Sequence, residues 1–448
     1  MSIPFRALLL LALPIALTVA ACGPAPTYSP EDVATMVAAT VEGLGELPHE
    51  IASPSPESTS AAEATPVPTT SAPPVLHVAY TDGGNVAYYV DPGPAVLLTS
   101  SGSVESVRVS DDGERIAYTR RPSLDDPVEL RLINADGSGD TQLMGPADFD
   151  ALYPLGGALH HDLFQFDFLP GTHLLLFNTR STFEGPGLAK HDDLIRIDTD
   201  SLGRTMLLAP GSGGDFIASS NGQYLAITRP DTIEILRADG TSTGSGVINY
   251  PPVITYSEYA YYAQPVWAPD SMSIGAAIPS SDPLAPSTTG SVWRLPVGGS
   301  ASLVTTIPGQ FFLFGTGSEP LLSPDLSLVA YTRPTTAPNI WALFVASSNG
   351  TAENLIASAD LAWAGWSPDS LHFLFSLGAP LNLQLGDLSG ASTALVTGTG
   401  LQWFNPAEFV FLAGSAGAWS LQRDGIGTAG STLATPAGDF VDYDLAYD

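Results

Sequence analysis

The sequence predicts an all-β chain whose folded part is a single β-propeller. The expected form is eight blades of four antiparallel strands, with seven blades as the alternative. Three observations predict it. A hairpin signature, a tight turn followed by an apolar β run, recurs seven times, and self-similarity at a fixed period marks stacked or radial architectures. The composition is turn-rich and uncharged-polar, with 44 Gly, 39 Pro and only 14% charged residues. The two ends of the repeat region hold complementary remainders, three strands at one end and one at the other. Joined, they make one more blade and remove a sheet edge.

Composition bounds the function. The chain has 448 residues, enough for one large domain and a tail. Its 46 acidic and 15 basic residues give a formal net charge of −31. Such a chain repels phosphate backbones and anionic lipid, so no nucleic-acid role is expected. The single cysteine, Cys22, excludes an intramolecular disulfide framework.

Residues 1–21 carry one positive charge, Arg6, then the apolar run 8–19. The run is too short for a stable spanning helix and reads as a secretory signal. It ends Val19-Ala20-Ala21-Cys22-Gly23, which resembles the bacterial lipobox. The resemblance implies signal cleavage after Ala21 and lipidation of the Cys22 thiol. The chain would then be extracytoplasmic, anchored by lipid to a bacterial membrane at the cell surface or periplasmic face. More than one acyl chain on Cys22 gives stable anchoring.

Residues 22–75 read as a disordered tether. A short helix is expected over 30–42, where Val33, Met36, Val37 and Val41 share one face. Beyond it, Pro, Ser, Thr and Ala dominate and aromatics are almost absent, so nothing can pay for folding. The propeller domain is expected over 76–448.

The clearest repeat is 105–144. A β run, 105–109, meets the turn Ser110-Asp111-Asp112-Gly113; a second strand, 115–120, and a third, 129–133, follow; the turn Asn134-Ala135-Asp136-Gly137 leads to a fourth, 140–144. Asp/Asn-Gly turns between short β-rich runs are hairpin signals. Equivalent turns start at Leu169, Ser219, Ala268, Ser323, Ser367 and Asn405. Residues 76–99 supply three strands and 440–446 one. At roughly 45 residues per blade, 76–448 gives about eight.

These motifs resemble the TolB-type propeller repeat, with its Ser-Pro-Asp-Gly-like turn before an Ile-Ala-Tyr-like strand. Residues 110–118 with 134–137 match best, and Ser323-Pro324-Asp325 and Ser367-Pro368-Asp369 match well. The turns at Leu169 and Asn405 are degenerate. The resemblance implies a fold and hardly a function. It lacks the separate N-terminal α/β domain of TolB itself.

Antiparallel order fixes which loops share a face. First-to-second and third-to-fourth connections lie on one side and are mostly tight turns. The others hold the long loops 145–163, 181–192, 250–263, 279–290 and 308–319. Binding favours elaborated loops on a rigid scaffold. On that face Tyr256, Tyr259, Tyr261 and Tyr262 crowd one loop, and Phe311, Phe312 and Phe314 the next blade's equivalent. They suit an interface or bury themselves over the rim. Thr-Arg ends the second strand in four blades, placing Arg120, Arg180, Arg229 and Arg333 on the same face. They would either form a ring for carboxylate- or sulfate-like groups or pair with nearby acids.

His160, His161, Asp162, His191, Asp192 and Asp193 also fall there. Of these, His161, His191 and Asp192 are the candidate ligands for zinc or a similar cation, though their spacing matches no ligand signature. No Gly-x-Ser-x-Gly elbow or Gly-rich phosphate loop occurs, so no catalytic residue and no cofactor are assigned. The first expectation is a non-catalytic, lipid-anchored scaffold or receptor that binds an envelope protein or glycan through the long-loop face. The alternative is a metal-dependent hydrolase or lyase with a site at the channel mouth.

Overall fold

The computed structural model describes residues 74–123, 127–184, 191–255, 259–283, 285, 287–311, 320–378 and 382–447. The chain divides into two units, Met1–Ser71 and Ala72–Asp448, and every described residue lies in the second. Ala21, Cys22, the tether with its expected helix, and Tyr256 lie outside the described residues.

The repeat predicted at 105–144 forms one four-stranded antiparallel sheet. Strands Val104–Val109, Arg115–Arg120, Glu129–Asn134 and Thr141–Met144 pair in chain order. The sheets spanning 160–208, 215–249 and 266–308 repeat that order. The sheet spanning 328–359 has three strands, and an isolated bridge between Leu322 and Val329 stands where a first strand is expected.

The last sheet spans 361–434 and holds seven strands. Its long strand Ser392–Trp403 pairs with Asn382–Asp387 through its first half and with Glu408–Ser415 through its second. One strand therefore ends one set of four and begins the next. Gly398 and Gly400 sit at that change of partner. A Cβ at Gly398 would come within 2.7 Å of the Phe411 ring, and Gly400 has φ +56°, so side chains are excluded where the ribbon turns.

The chain ends meet as predicted. Tyr443–Tyr447 pairs antiparallel with Leu76–Asp82, which continues into Asn85–Val90 and Val96–Leu97. Two small elements have no counterpart in the sequence reading. Ile254–Thr255 pairs with Tyr259–Ala260 inside the loop after 249. A short helix, Pro146–Asp150, starts where the Gly145 N–H donates to the Asp148 carboxylate at 2.8 Å and Pro146 opens the first turn.

Packing shows how the sheets stand together. Each buried apolar cluster joins sheets that are consecutive in the chain, or the two halves of the seven-stranded sheet. Val107 and Tyr118 pack with Ala79 and Val86; Leu132 with Phe166 and Phe177; Leu176 with Phe216 and Leu225; Ile235 with Trp267 and Ile274. Val292, Tyr331, Trp363 and Phe373 continue the series, and Phe411 packs on Leu374. Val410 and Leu412 then pack on Val78 and Tyr80 of the starting sheet. The packing thus runs full circle. Radial sheets joined face to face in a closed circuit are a β-propeller.

The first strand of a sheet would be an open edge, and at several blades side chains of a neighbouring sheet cover it. Gln165 Nε2 donates to the Phe216 carbonyl at 2.9 Å, and the Phe216 N–H returns to Gln165 Oε1 at 3.2 Å. The indoles of Trp267 and Trp366 donate to the carbonyls of Ile217 and Leu321, each at 3.0 Å. Asp442 and Asp444 accept the N–H groups of Val107 and Val109 at 3.0 and 2.8 Å. Such pairing satisfies the edge without adding a strand.

The recurrent turns owe their spacing to one hydroxyl. Ser110, Ser219, Ser323 and Ser367 are fully buried. Each Oγ donates to the acid or amide two residues on and accepts the N–H five residues on; for Ser367 these are Asp369 at 2.6 Å and His372 at 2.9 Å. Ser367→Ala is expected to cost about 1–2 kcal/mol by leaving both groups short of a partner. A urea midpoint unchanged from the parent would contradict that role.

Candidate functional site

The long-loop face carries a cleft of ≈ 200 Å³ built from four connections. Asp192 comes from the connection before strand Leu194–Asp198, and Gly211 and Gly213 from the passage to the next sheet. Arg229, Pro230 and Asp231 form the tight link between Tyr224–Thr228 and Thr232–Arg237. Pro252 and Tyr262 come from the long loop that follows. Strand order alone brings these segments to one side of the disc.

Behind the cleft stands an aromatic stack. His191 lies between Phe164, 3.9 Å away and 16° from parallel, and Tyr262, 4.1 Å away and 29° from parallel. Phe164 reaches it because the strand His160–Phe168 shifts register between Leu163 and Gln165. His191 is 6% exposed. Its Nε2 lies 2.7 Å from Asp215 Oδ1, off the line of a hydrogen bond. Both ring nitrogens and that oxygen are buried without a hydrogen-bond partner among the described residues. Burial, with Asp215 and Asp192 nearby, pushes the Tyr262 hydroxyl up to about 12. It therefore stays protonated at neutral pH.

The structure separates the histidines that the sequence grouped. His161 is 1% exposed, tilted against the Tyr153 ring with centroids 4.1 Å apart, with Nδ1 on Ser181 Oγ at 3.1 Å and Nε2 on the Tyr153 carbonyl at 3.3 Å. Asp162 accepts the Val128 N–H at 3.4 Å and lies 3.5 Å from Arg121. Asp193 accepts the Thr179 N–H and hydroxyl, both at 2.7 Å. His191 and Asp192 alone of this set join the cleft region.

Among the described residues, the metal-ligand side chains that gather in a group of three are Asp112, Glu114 and His173, on the opposite, turn face. There His173 bridges Asp112 at 2.8 Å and Asp200 at 3.1 Å, and Arg115 pairs with Asp200 at 2.9 Å. Burial pulls the His173 pKa down, but both carboxylates outweigh it and hold it above the ordinary imidazole value. Internal ion pairs account for Asp112 and His173 of that group. A second cleft, ≈ 560 Å³, lies on the same turn face, lined by His372, Asp387, Asp424 and Thr428 among others.

Three of the four Thr-Arg arginines pair with a carboxylate of their own sheet. Arg120 meets Glu129 at 2.8 Å, Arg229 meets Glu234 at 2.5 Å, and Arg333 meets Glu353 at 2.6 Å. Arg229 also donates to the carbonyls of Gly213, at 3.0 Å, and Ser212. Arg180 lies 5.7 Å from the Phe164 ring centroid. Their threonines explain the repeat, since Thr119, Thr179, Thr228 and Thr332 are all buried. Thr119 accepts the Ser106 N–H at 3.0 Å. The motif puts threonine inward and arginine outward in each blade.

The tyrosine loop divides. Tyr261 packs against the apolar cluster of Trp267 and Ile274, and burial raises its pKa. Tyr262 turns to the cleft. Tyr259 lies on the short strand Tyr259–Ala260. Phe311 is 2% exposed and packs on Tyr331, while Phe312 and Phe314 lie outside the described residues. Sequence reading missed Phe164, Asp215 and Asp231. Nothing in the sequence marks the register shift that exposes Phe164.

No protein-family model and no curated protein matches the chain. Solved structures similar to it include prolyl oligopeptidase B from Galerina marginata, at 11% identity over 76% of this chain and 52% of that one, TM-score 0.48. The β-propeller domain of the Trilobed protease from Pyrococcus furiosus is similar at 12% identity over 75% and 98%, TM-score 0.43. TolB from Acinetobacter baumannii is similar at 16% identity over 65% and 66%, TM-score 0.30. The chain spans about half the length of the prolyl oligopeptidase. The propeller class itself rests on the sheet order and circular packing above. No helix among the described residues is long and apolar enough to cross a membrane.

Proposed function

We propose that this chain is a lipid-anchored, extracytoplasmic propeller of eight blades that binds a protein or glycan partner through its long-loop face and performs no chemistry there. The observation that carries the reading is the cleft between Asp192, Arg229, Asp231 and Tyr262, where four separate connections converge beside the stack of Phe164, His191 and Tyr262. Concave sites with an aromatic wall and a few polar groups are the usual form of a binding site. The eight-blade count is supported by the doubled role of Ser392–Trp403 and by the bridge at Leu322. The metal-dependent alternative is weakened by His161, whose two ring nitrogens are already engaged.

Crosslinking of the full-length protein in its own cells tests the reading. The parent is expected to capture a discrete partner, and Tyr262→Ala to lose it while the circular dichroism spectrum stays unchanged. In the same cells Cys22→Ser is expected in the soluble extracytoplasmic fraction. Equal capture by parent and Tyr262→Ala would overturn the placement of the site.

A further inference from the structure

The charges that line the cleft have the opposite sign to those expected of an arginine ring. Arg229 is the cleft's cation, and its guanidinium is spent on Glu234 and the carbonyls of Gly213 and Ser212. It has little left to offer an incoming anion. Asp192 and Asp231 line the same cleft, and neither carboxylate has an ion-pair or hydrogen-bond partner among the described residues. Behind Tyr262, Asp215 Oδ1 and His191 Nε2 lie 2.7 Å apart and face each other, and neither residue lines the cleft. In the cleft itself, two carboxylates therefore stand against one arginine that is already engaged. Tyr262 adds the face of an electron-rich ring, which attracts a cation.

We propose, resting on the binding reading above, that this cleft receives one cationic side chain, a lysine ammonium or an arginine guanidinium, from a basic segment of a protein partner. Three features select that ligand over a sugar ring or a carboxylate. Two open carboxylates and an aromatic wall fit a donor-rich cation. The cleft, at ≈ 200 Å³, is smaller than sites for drug-sized molecules, which run from roughly 300 Å³. The net charge of −31 steers a basic partner toward the whole domain before the local fit is made.

The test uses the full-length protein in detergent, with tetralysine, tetraglutamate and a neutral hexose oligosaccharide as probes for calorimetric titration. Tetralysine is expected to bind and the other two are not. The double variant Asp192→Asn/Asp231→Asn is expected to weaken tetralysine binding about tenfold or more. That change removes only two charges from the total, so attraction by the general acidic field would barely alter. Tyr262→Ala is expected to weaken binding without changing any charge, and Tyr262→Phe to retain it.

Tetralysine affinity within about twofold of the parent in the double variant would overturn the proposal and assign the binding to the general field. If the oligosaccharide or tetraglutamate binds in place of tetralysine, the proposal also falls. The cellular capture experiment separates the two readings. Loss of capture in Tyr262→Ala with no specific tetralysine binding would leave the binding face standing and reject the cationic ligand. Failure of both would reject the face as well.

Discussion

Replacing Arg108 by leucine is expected to cost about 3 kcal/mol of folding stability at neutral pH, more than any substitution in the cleft. Arg108 lies on strand Val104–Val109, and its Nη1 reaches Asp442 Oδ2 at 3.2 Å. Asp444 and Asp167 act on it from the closing strand and from strand His160–Phe168. The Phe166 ring lies 5.2 Å from the guanidinium. Burial pulls the Arg108 pKa down, but the three carboxylates outweigh it and hold it above its ordinary value. One cation thus serves three carboxyl groups. Leucine would leave the three carboxyl groups close together with no cation among them. Asp167 is exposed to solvent, which screens its share and keeps the expected cost below the largest values known for broken buried pairs.

The sign of the pH dependence follows from the carboxyl groups. Burial pushes Asp167 up to about 6 and Asp444 up to about 7, with Arg108 opposing both shifts. An unfolded carboxyl titrates near 4. Between those values the folded chain holds protons that the unfolded chain has released. The contribution of these groups is therefore full below about pH 4 and is lost as pH rises through 6 and 7. Removing Arg108 raises both groups further, so the deficit of Arg108→Leu should be larger at pH 7.5 than at pH 5. Arg108→Lys keeps the charge but loses the planar fork and should fall between. Urea denaturation of the three proteins at the two pH values checks each point. Equal midpoints for parent and Arg108→Leu at pH 7.5 would sink the argument.

The fold was legible because it is written locally and repeated. Ser110, Ser323 and Ser367 each announce a turn two residues before an acid, and the buried hydroxyl that closes the turn is the physical cause of that spacing. The closing strand was legible by arithmetic, since 440–446 had no sheet of its own. The cleft was legible only in pieces. Tyr262, Arg229 and Asp192 stood out by type and by face, but their charges could not be balanced from sequence. Glu234, which neutralises Arg229, is an ordinary alternating residue of a third strand. Phe164 and Asp215 gave no signal, because a register shift and a contact between sheets decide their positions. The group around Arg108 left only a faint signal in the sequence. Asp442 and Asp444 are two apart, so both point to one face of an otherwise apolar closing segment.

A chain ending at residue 439 is expected to yield no stable monomer. The deletion removes Tyr443–Tyr447, whose pairing covers the edge of Leu76–Asp82 from Leu76 to Tyr80. It removes Tyr443, 3% exposed, whose hydroxyl donates to the carbonyls of Val410, at 2.7 Å, and Gly400. It also removes both carboxylates that hold Val107 and Val109. An apolar edge would then stand open, with Val78 and Tyr80 no longer packed beneath Val441 and Tyr443. Exposed edges of this kind recruit other chains. Size-exclusion chromatography should therefore show oligomers or aggregate, and limited proteolysis should cut within 76–99. A synthetic peptide of residues 438–448 added during refolding should restore monomer, because strand addition needs only the missing edge. A truncated chain that stays monomeric, with the parent's unfolding midpoint, would mean that the terminal strand decorates the ring and does not close it. The expected outcome also bears on order of folding. The pairing partners lie at opposite ends of the domain, so the ring closes only after the intervening sheets are in place, and loop closure must be paid before that contact returns anything. The Arg108 group forms at the same junction, which places one cation and three carboxylates at the seam that is made last.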